Sequence, residues 1–334
     1  MDQLFYLIYI HLDIQSISDV CISKVLSWLL HLQRMLLYVE VVAIVERKVG
    51  ENSFQDMCEF VAPHIKSLYG LRKPRGFVKA VVALVLYHDL KGVGWTQLEV
   101  VRGAPIKVAH SSLQHNSKIV RKILNSWALQ HITPGSLNDW KRAARHAAFG
   151  QHVKDVTLAI DSFDLGIQKQ GNNCGKASPY WSYKLNQPGW RFMLIIDAST
   201  EIRCCSAGYS PKVYDGHWME ARRDYLETNF KGGVFVADGH FTLGQALDDV
   251  IIHIPTRQRR TTAAAAEDAD IERLTAKEGS RNTAIHQARA RVETTIHALK
   301  QPWKILKEPW AEELNQLSYL VHIACAVHNL CIRV

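Results

Sequence analysis

Three acidic residues stand where their carboxylates could act as one set: Asp161, Asp238 and Glu293. Asp161 closes the apolar run 156–161, Asp238 closes the apolar run 234–238, and Glu293 lies in a long segment with helical spacing. Side chains at the carboxyl ends of strands meet at one edge of an α/β sheet, where ligands usually bind. Carboxylate oxygens suit Mg²⁺ or Mn²⁺, and two such ions can stabilise the attacking and leaving oxygens of a phosphodiester.

Each of these residues has a simpler explanation when it is considered alone. An aspartate after a strand is commonly a cap or a turn residue. An arginine four residues from a glutamate on a helix, as with Arg289 and Glu293, is commonly a weak surface ion pair. The occurrence of all three acidic residues in a basic chain is what favours a shared catalytic site.

The helix around Glu293 predicts a polar band beside an apolar stripe. At helical spacing, one face carries Glu293 with four further side chains: His286, Arg289, His297 and Lys300. The adjoining stripe holds Ile285, Val292, Ile296 and Leu299. We expect the stripe to pack on a sheet and the cations to flank one carboxylate, as in a metal site that also binds phosphates.

The segments that carry these residues predict an α/β fold with a mixed sheet flanked by helices. Four runs with strand character come first, at 156–161, 181–186, 191–197 and 202–210. Helix and strand then alternate: helix 217–229, strand 234–238, helix 243–249, strand 250–255, a charged insertion at 257–280, and helices 283–300 and 311–334. This order is typical of a sheet covered by helices.

An all-helical region precedes the sheet, at 54–150. Helices at 76–90, 96–101 and 117–131 are compatible with a helix-turn-helix. Arg121 and Lys122 lie away from the apolar stripe of the last helix, so we expect both to contact DNA. A small helical bundle with a solvated basic face explains the same pattern.

Residues 1–50 form an apolar extension of unknown role. Polar residues such as Arg34 and Glu40 interrupt its longer run, so it lacks the clean stretch of about 18–20 apolar residues that a membrane span needs. No Lys or Arg precedes Lys24, unlike in a secretory signal. Buried helices are expected, and a membrane anchor is the alternative.

The composition indicates a globular protein with a polyanionic partner. The 334 residues suggest about two structural units, and 47% are hydrophobic. Forty Lys and Arg against 32 Asp and Glu give a net charge of +8, which suits nucleic acid or a membrane surface. Seven cysteines without a Cys-x-x-Cys pair argue against a disulfide scaffold and a structural zinc site.

Cations and aromatic side chains alternate along one segment: Lys176, Tyr180, Trp181, Tyr183 and Lys184. They could follow a phosphate backbone or stack an unpaired base. Aromatic packing on a strand face explains the same pattern. A basic cluster at 257–260 could serve DNA binding or nuclear import, or could be a solvated loop.

Three sequence blocks resemble the DDE superfamily endonuclease domain, and most closely that of PIF/Harbinger-type transposases and the nucleases derived from them. The blocks are IDSFD (160–164), VADGH (236–240) and HQARARVETTIHALKQPWKIL (286–306). The likeness covers roughly 156–305 and aligns the family's acidic triad with Asp161, Asp238 and Glu293. It departs from the family where Asp-Ser replaces the frequent Asp-Gly, and where Tyr214-Asp215 replaces His-Asp. Asp215 could also simply cap the helix near His217.

Asp164 competes with Asp161 for the first position of the triad. Side chains alternate along a strand, which places Asp161 at the end of the strand on the face with smaller side chains. We expect the chain to have left the sheet by Asp164, so that its carboxylate is less fixed. The sequence therefore favours Asp161 as the metal ligand.

The resemblance implies a ribonuclease-H-like nuclease domain over 151–334. It implies that Asp161, Asp238 and Glu293 hold divalent ions, Mg²⁺ or Mn²⁺ and two in number, for attack of water, or of a 3′-hydroxyl, on DNA. Six cations are expected to contact the DNA: Arg289, Arg291, Lys300, Lys184, Arg121 and Lys122. A nuclear location, a separate DNA-binding partner and a homo-oligomer would fit this function. The alternative is a domesticated transposase that binds DNA without cleaving it.

Overall fold

The computed structural model describes residues 38–69, 75–93, 98, 110–146, 155–168, 175–242, 247–256 and 276–333. The predictions for residues 1–37, for most of the helix at 96–101 and for the basic cluster at 257–260 lie outside the described residues.

Helices make up the first part of the described chain. They are α1 (residues 38–49), α2 (Glu51–Tyr69), α3 (Arg75–Lys91), α4 (His110–His131) and α5 (Leu137–His146). The run FVKAVVALVLYHDL within α3 is mostly apolar, and nearly all of its side chains are buried between other helices. A helix that is apolar on all sides is expected to lie inside a protein. The predicted helical region before the sheet is confirmed.

A mixed sheet follows these helices. Its strands are β1 (Leu158–Gly166), β2 (Trp181–Ser182), β3 (Gln187–Asp197), β4 (Ile202–Cys205), β5 (Val234–Val236) and β6 (Ile251–His253). β1 is central: β3 pairs antiparallel with its whole length, and β5 pairs parallel with its first two residues. β6 continues the parallel part beside β5, and both β2 and β4 pair with β3. This strand order is consistent with a ribonuclease-H-like fold and confirms the predicted fold class.

Helices cover both faces of the sheet. On one face lie α6 (Asp215–Glu220) and α7 (Arg223–Asn229), with Trp140 of α5. On the other lie α8 (Ala276–Lys300) and α9 (Leu314–Ile332), joined by the 3₁₀ helix Lys304–Lys307. Alternate residues of β1 serve the two faces: Leu158 and Ile160 join the first core, and Ala159 and Phe163 join the second.

The second core continues without interruption into the preceding helices. Val45 of α1, Leu86 of α3 and Trp127 of α4 belong to the same buried cluster as Leu320 of α9 and Ala159 of β1. α4 lies against α9 along much of its length. The helical region and the sheet therefore share apolar packing, and the division of the chain near residue 150 stays a prediction.

β1 extends further than the sequence indicated. It runs to Gly166, so Asp161 lies in the middle of the strand and Asp164 is still in the sheet, opposite Arg191. The expectation that the chain leaves the sheet before Asp164 is wrong. The polar residues Ser162 and Asp164 looked like a strand end, but Arg191 and other polar groups satisfy them inside the fold.

Other predicted elements also differ from the structure. The strand expected at 202–210 ends at Cys205, and the helix expected at 217–229 is divided into α6 and α7. The strand expected at 181–186 ends after Ser182, because residues 183–186 form a turn in which Asn186 has a φ of 52°. Of the helix expected at 243–249, the described residues 247–249 are not helical. The aromatic residues near 181 had suggested a longer strand, whereas the turn depends on Asn186, which tolerates a left-handed conformation.

Arg121 is a structural residue, and its burial argues against the predicted DNA contact. Its side chain is 0% exposed. The guanidinium donates to both carboxylate oxygens of Asp89 at 2.5 and 3.1 Å and to Glu312 at 2.6 Å, and it lies 5.2 Å from the ring centroid of Trp310. Arg121 thus connects α4 to α3 and to the loop before α9, while its neighbour Lys122 is exposed.

Two other sequence expectations concern cysteines and membranes. The described cysteines, which are Cys58, Cys204, Cys205, Cys325 and Cys331, are free thiols. Within the described ranges, no helix has the length and apolar character needed to cross a membrane.

Candidate active site

Asp161 is a buried carboxylate on the central strand. Its side chain faces α8, and it is held by two donors: the backbone N–H of Ser162 at 2.7 Å from Oδ1, and Arg289 Nη2 at 3.2 Å from Oδ2. Burial raises the pKa of Asp161 above its ordinary value, and the negative charge of Asp238 adds to this, whereas Lys184 and Arg289 oppose it. The fold therefore disfavours the ionised form of Asp161, compared with an exposed aspartate.

Asp238 lies in the loop that follows β5. β5 runs parallel to β1 with Val236 opposite Ala159, so Asp238 lies level with Asp161, each two residues beyond that pair. The side chain accepts a hydrogen bond from the backbone N–H of His240 at 2.7 Å, and its backbone oxygen accepts one from Phe241 at 3.2 Å. Burial raises the pKa of both Asp161 and Asp215, and the charge of Asp238 adds to this in each case.

Glu293 reaches the site from α8, with its side chain 57% exposed. Arg289 Nη2 lies 3.2 Å from Glu293 Oε1 and also 3.2 Å from Asp161 Oδ2, so two of the three predicted acids meet at one nitrogen atom. Val292 and Leu299 are buried on the sheet side of the helix, as the apolar stripe predicted. The Arg289–Glu293 ion pair expected from the spacing is present, and it includes Asp161 as well.

Lys184 lies on the other side of Asp161. Its ammonium donates to the backbone oxygen and to Oγ of Ser162, both at 2.9 Å. Its charge lowers the pKa of Asp161 and of Asp215 against the effect of burial. Lys184 therefore stabilises the anionic form of the acidic cluster, and its exposed position leaves it close to any phosphate that binds there.

A second, buried network lies beneath the site. Both carboxylate oxygens of Asp164 are occupied, by Arg191 at 2.7 and 3.1 Å and by Ser182 Oγ at 2.5 Å. Asp215 accepts from Ser162 Oγ at 3.0 Å and from Arg191 at 3.4 Å. Because these hydrogen bonds use the carboxylate of Asp164, the geometry favours Asp161 as the acid available for chemistry.

Sequence reasoning left two members of this network out of the candidate site. Asp215 was placed at the family's His-Asp position, with a helix cap as the simpler explanation; it begins α6 without a side-chain capping bond and is buried. Burial raises its pKa, and Arg191 and Lys184 oppose this. Arg191 was read only as part of a strand. A lone arginine at the start of an apolar strand was the available signal, since a buried arginine requires a carboxylate partner.

Lys300 and Arg291, which were also predicted to contact DNA, lie at different ends of β1. Lys300 Nζ is half-buried, donates to the backbone oxygen of Asp164 at 3.3 Å and lies 4.9 Å from the Phe163 ring centroid. Arg291 donates to the backbone oxygen of Ala198 at 2.9 Å, at the end of the sheet where β1 begins. Arg291 therefore points away from Asp161, whereas Lys300 supports the far end of β1.

The donor set suits a hard divalent cation, although the acids are not gathered around a single point. Asp161, Asp238 and Glu293 offer only carboxylate oxygens, the ligands that Mg²⁺ and Mn²⁺ prefer. In the part of the chain that the structure describes, no three His, Cys, Asp or Glu side chains converge closely enough to hold a metal. Arg289 lies between two of them, so an ion bound by both acids would have to displace its guanidinium.

Comparison with known protein families decides the wider assignment. Residues 160–329 match the family model of the DDE superfamily endonuclease, which is more than half of the chain. The chain belongs to this family. The matched segment of the endonuclease begins in β1, ends in α9 and contains Asp161, Asp238 and Glu293. No curated protein and no solved structure matches the chain.

Proposed function

We propose that this DDE endonuclease cleaves DNA phosphodiester bonds with divalent ions held by Asp161, Asp238 and Glu293. The convergence of Asp161 and Glu293 on one nitrogen of Arg289 carries the proposal, because these acids come from separate elements of the matched segment. Asp238 joins them because it lies level with Asp161, in the loop after the parallel strand β5. When bound, Mg²⁺ or Mn²⁺ would supply positive charge to the reacting phosphate and favour an activated attacking oxygen.

Residues of the chain itself would bind and orient the DNA. Arg289 Nε is buried and has no hydrogen-bond partner among the described residues, so a phosphate oxygen would satisfy it. Displacement of this guanidinium from the two carboxylates would leave it free to neutralise the phosphate. Lys184 would contribute a second positive charge beside Asp161, while β1 holds that acid rigidly.

The alternative function is DNA binding without cleavage. One observation favours it: Arg289 already neutralises Asp161 and Glu293, and a tight pairing of this kind would exclude a metal. PIF/Harbinger membership, a nuclear location, a separate DNA-binding partner and a homo-oligomer belong to the same proposal. Each would accompany either function, so none distinguishes cleavage from binding.

The requirement for a divalent ion separates these two functions. We expect the purified chain to nick supercoiled plasmid DNA with Mg²⁺ or Mn²⁺ and to leave it intact in EDTA. The measurement is the conversion of supercoiled to open-circular plasmid on a gel. Equal cleavage in EDTA would contradict the metal mechanism, and DNA binding without cleavage under every ion would establish the alternative.

A further inference from the structure

Two loops meet beside the acidic site and are joined by one lysine. The first, 175–186, contains β2, and the second, 206–214, precedes α6. Lys212 Nζ donates to the backbone oxygen of Lys176 at 2.7 Å and to the hydroxyl of Tyr183 at 3.2 Å. Ser210 Oγ adds a hydrogen bond to the backbone oxygen of Pro179 at 2.5 Å. These contacts give the surface a defined shape.

Tyr183 presents its ring to solvent on this surface. It is 68% exposed, although it is a large aromatic residue. It lies in the turn after β2, so the explanation by packing on a strand face does not apply to it. Lys212 Nζ lies 4.5 Å from its ring centroid and fixes the ring by a cation–π contact. By contrast, the nearby Tyr180 packs against Trp190, with ring centroids 5.9 Å apart.

The charge of this surface is uniformly positive. Neither 175–190 nor 206–214 contains an Asp or Glu, whereas Lys176, Lys184 and Lys212 are all exposed. Lys184 also donates to the backbone oxygen of Ser162, the residue that follows Asp161. The aromatic-lysine patch, defined as Lys176, Tyr183, Lys184 and Lys212, is therefore continuous with the acidic site.

We infer that the aromatic-lysine patch binds an unpaired nucleotide of the DNA beside the cleaved bond. The base would stack on Tyr183, and the adjacent phosphates would lie near Lys184 and Lys212. An exposed aromatic ring among lysines is the combination by which proteins bind single strands, since every unpaired base offers a flat face. Inside a duplex, the faces of the paired bases are covered by their neighbours, so the patch would contact mainly phosphates. This inference rests on the proposed function, because it specifies the DNA structure that the same site accepts.

DNA binding without divalent ions tests the inference separately from cleavage. Fluorescence anisotropy in EDTA would compare a blunt duplex with the same duplex carrying a single-stranded overhang. We expect Tyr183→Ala to weaken overhang binding by about fivefold or more, the usual effect of losing one stacked base. Binding of the blunt duplex should change less than about twofold, because only phosphate contacts are involved.

Matched variants identify which part of the patch acts. Tyr183→Phe keeps the ring and should bind the overhang like the unmodified chain, whereas Tyr183→Leu should behave like Tyr183→Ala. Lys212→Ala should weaken both DNAs, because it removes a charge and the contact that orients the ring. Lys231→Ala, at an exposed lysine before β5 and away from Asp238, should change neither.

Two results would overturn the inference: unchanged overhang binding by Tyr183→Ala, or an equal loss by Tyr183→Phe. Circular dichroism of each variant would show that folding is intact. Failure of the unmodified chain to cleave plasmid would refute the proposed cleavage and leave this binding result standing. Metal-dependent cleavage together with unchanged binding by Tyr183→Ala would refute the role of the patch and leave the proposed cleavage standing.

Discussion

Asp161 and Asp164 are three residues apart on β1, and the strand directs them to opposite faces of the sheet. Asp161 faces α8, where Arg289 and Glu293 lie, and Asp164 faces Arg191 and Ser182. We therefore propose different tasks for two carboxylates of the same type: Asp161 takes part in the reaction, and Asp164 pairs with Arg191 inside the fold.

The two aspartates are expected to respond in opposite ways to replacement by asparagine. Asp161→Asn should abolish cleavage while the chain remains folded. Asp164→Asn should lower the free energy of unfolding by about 3 kcal/mol, because it leaves Arg191 partly uncompensated in a buried site. Urea unfolding and plasmid nicking measure the two effects. An inactive, stable Asp164→Asn beside an active Asp161→Asn would place the first acid of the triad at residue 164.

The raised pKa of Asp161 predicts how the stability of this variant depends on pH. Because burial raises the folded pKa above the unfolded one, the folded state binds more protons between the two values. The unmodified chain therefore loses stability relative to Asp161→Asn as pH rises from about 4, the ordinary aspartate value. Unfolding curves of both proteins at several pH values give this comparison. The free energy of unfolding of the unmodified chain should fall relative to that of Asp161→Asn as pH rises, and a pH-independent difference would contradict the argument.

At the scale of secondary-structure elements, Arg121 shows that a cation off the apolar stripe of a helix can still be buried. Its spacing placed it off the apolar stripe of α4, which suggested a solvated cation. The fold instead supplies buried partners from distant parts of the chain, Asp89 and Glu312. No periodicity of α4 alone could reveal these partners, because they come from α3 and from the loop before α9.

Loss of the Arg121 side chain is expected to destabilise the packing of α3, α4 and α9. Arg121→Gln should lower the free energy of unfolding by about 3–5 kcal/mol, since it leaves Asp89 buried without its main charge partner. Lys122→Gln, at the adjacent exposed lysine, is the matched control and should leave stability nearly unchanged. Urea unfolding followed by circular dichroism measures both, and equal stability of the two variants would refute a structural role.

This ion pair should also contribute to the acid sensitivity of the helices. Burial alone would raise the pKa of Asp89, but Arg121 and His88 outweigh it and hold the pKa below its usual value. A lowered folded pKa means that the stabilisation is present above the ordinary aspartate pKa. It is lost as pH falls through the lower, folded value.

The sequence predicted elements with strong local signals better than those that depend on tertiary partners. The apolar stripe of α8 and the β-branched runs of β1 and β5 were enough to predict the mixed sheet and its flanking helices. The continuation of β1 past Asp161 was not, because Ser162 and Asp164 look like loop residues until Asp215 and Arg191 are known to contact them. The short β2 likewise depends on the turn at Asn186.

At the scale of the whole molecule, the net charge is +8, and the positive side chains are divided between buried ion pairs and the surface. Arg121, Arg191 and Arg203 are buried in ion pairs with carboxylates, so they contribute to the fold and are not available to DNA. Lys184 and Lys212 remain at the surface beside the acidic site. The helical region shares its apolar core with the sheet. The surface that bears Lys184 and Lys212 therefore belongs to one continuously packed structure.

The rate of DNA nicking by Glu293→Gln tests the central claim most directly. The substitution keeps the shape of the side chain and removes its charge. Metal-dependent nicking should fall on the order of 100-fold or more, because losing even an outer-shell partner of a metal ligand costs about 10–100-fold. The matched control is Glu308→Gln, at an exposed glutamate that also pairs with a cation four residues away. We predict near-normal nicking by Glu308→Gln and collapse for Glu293→Gln with an unchanged unfolding curve. Near-normal nicking by Glu293→Gln would contradict the assignment of the site.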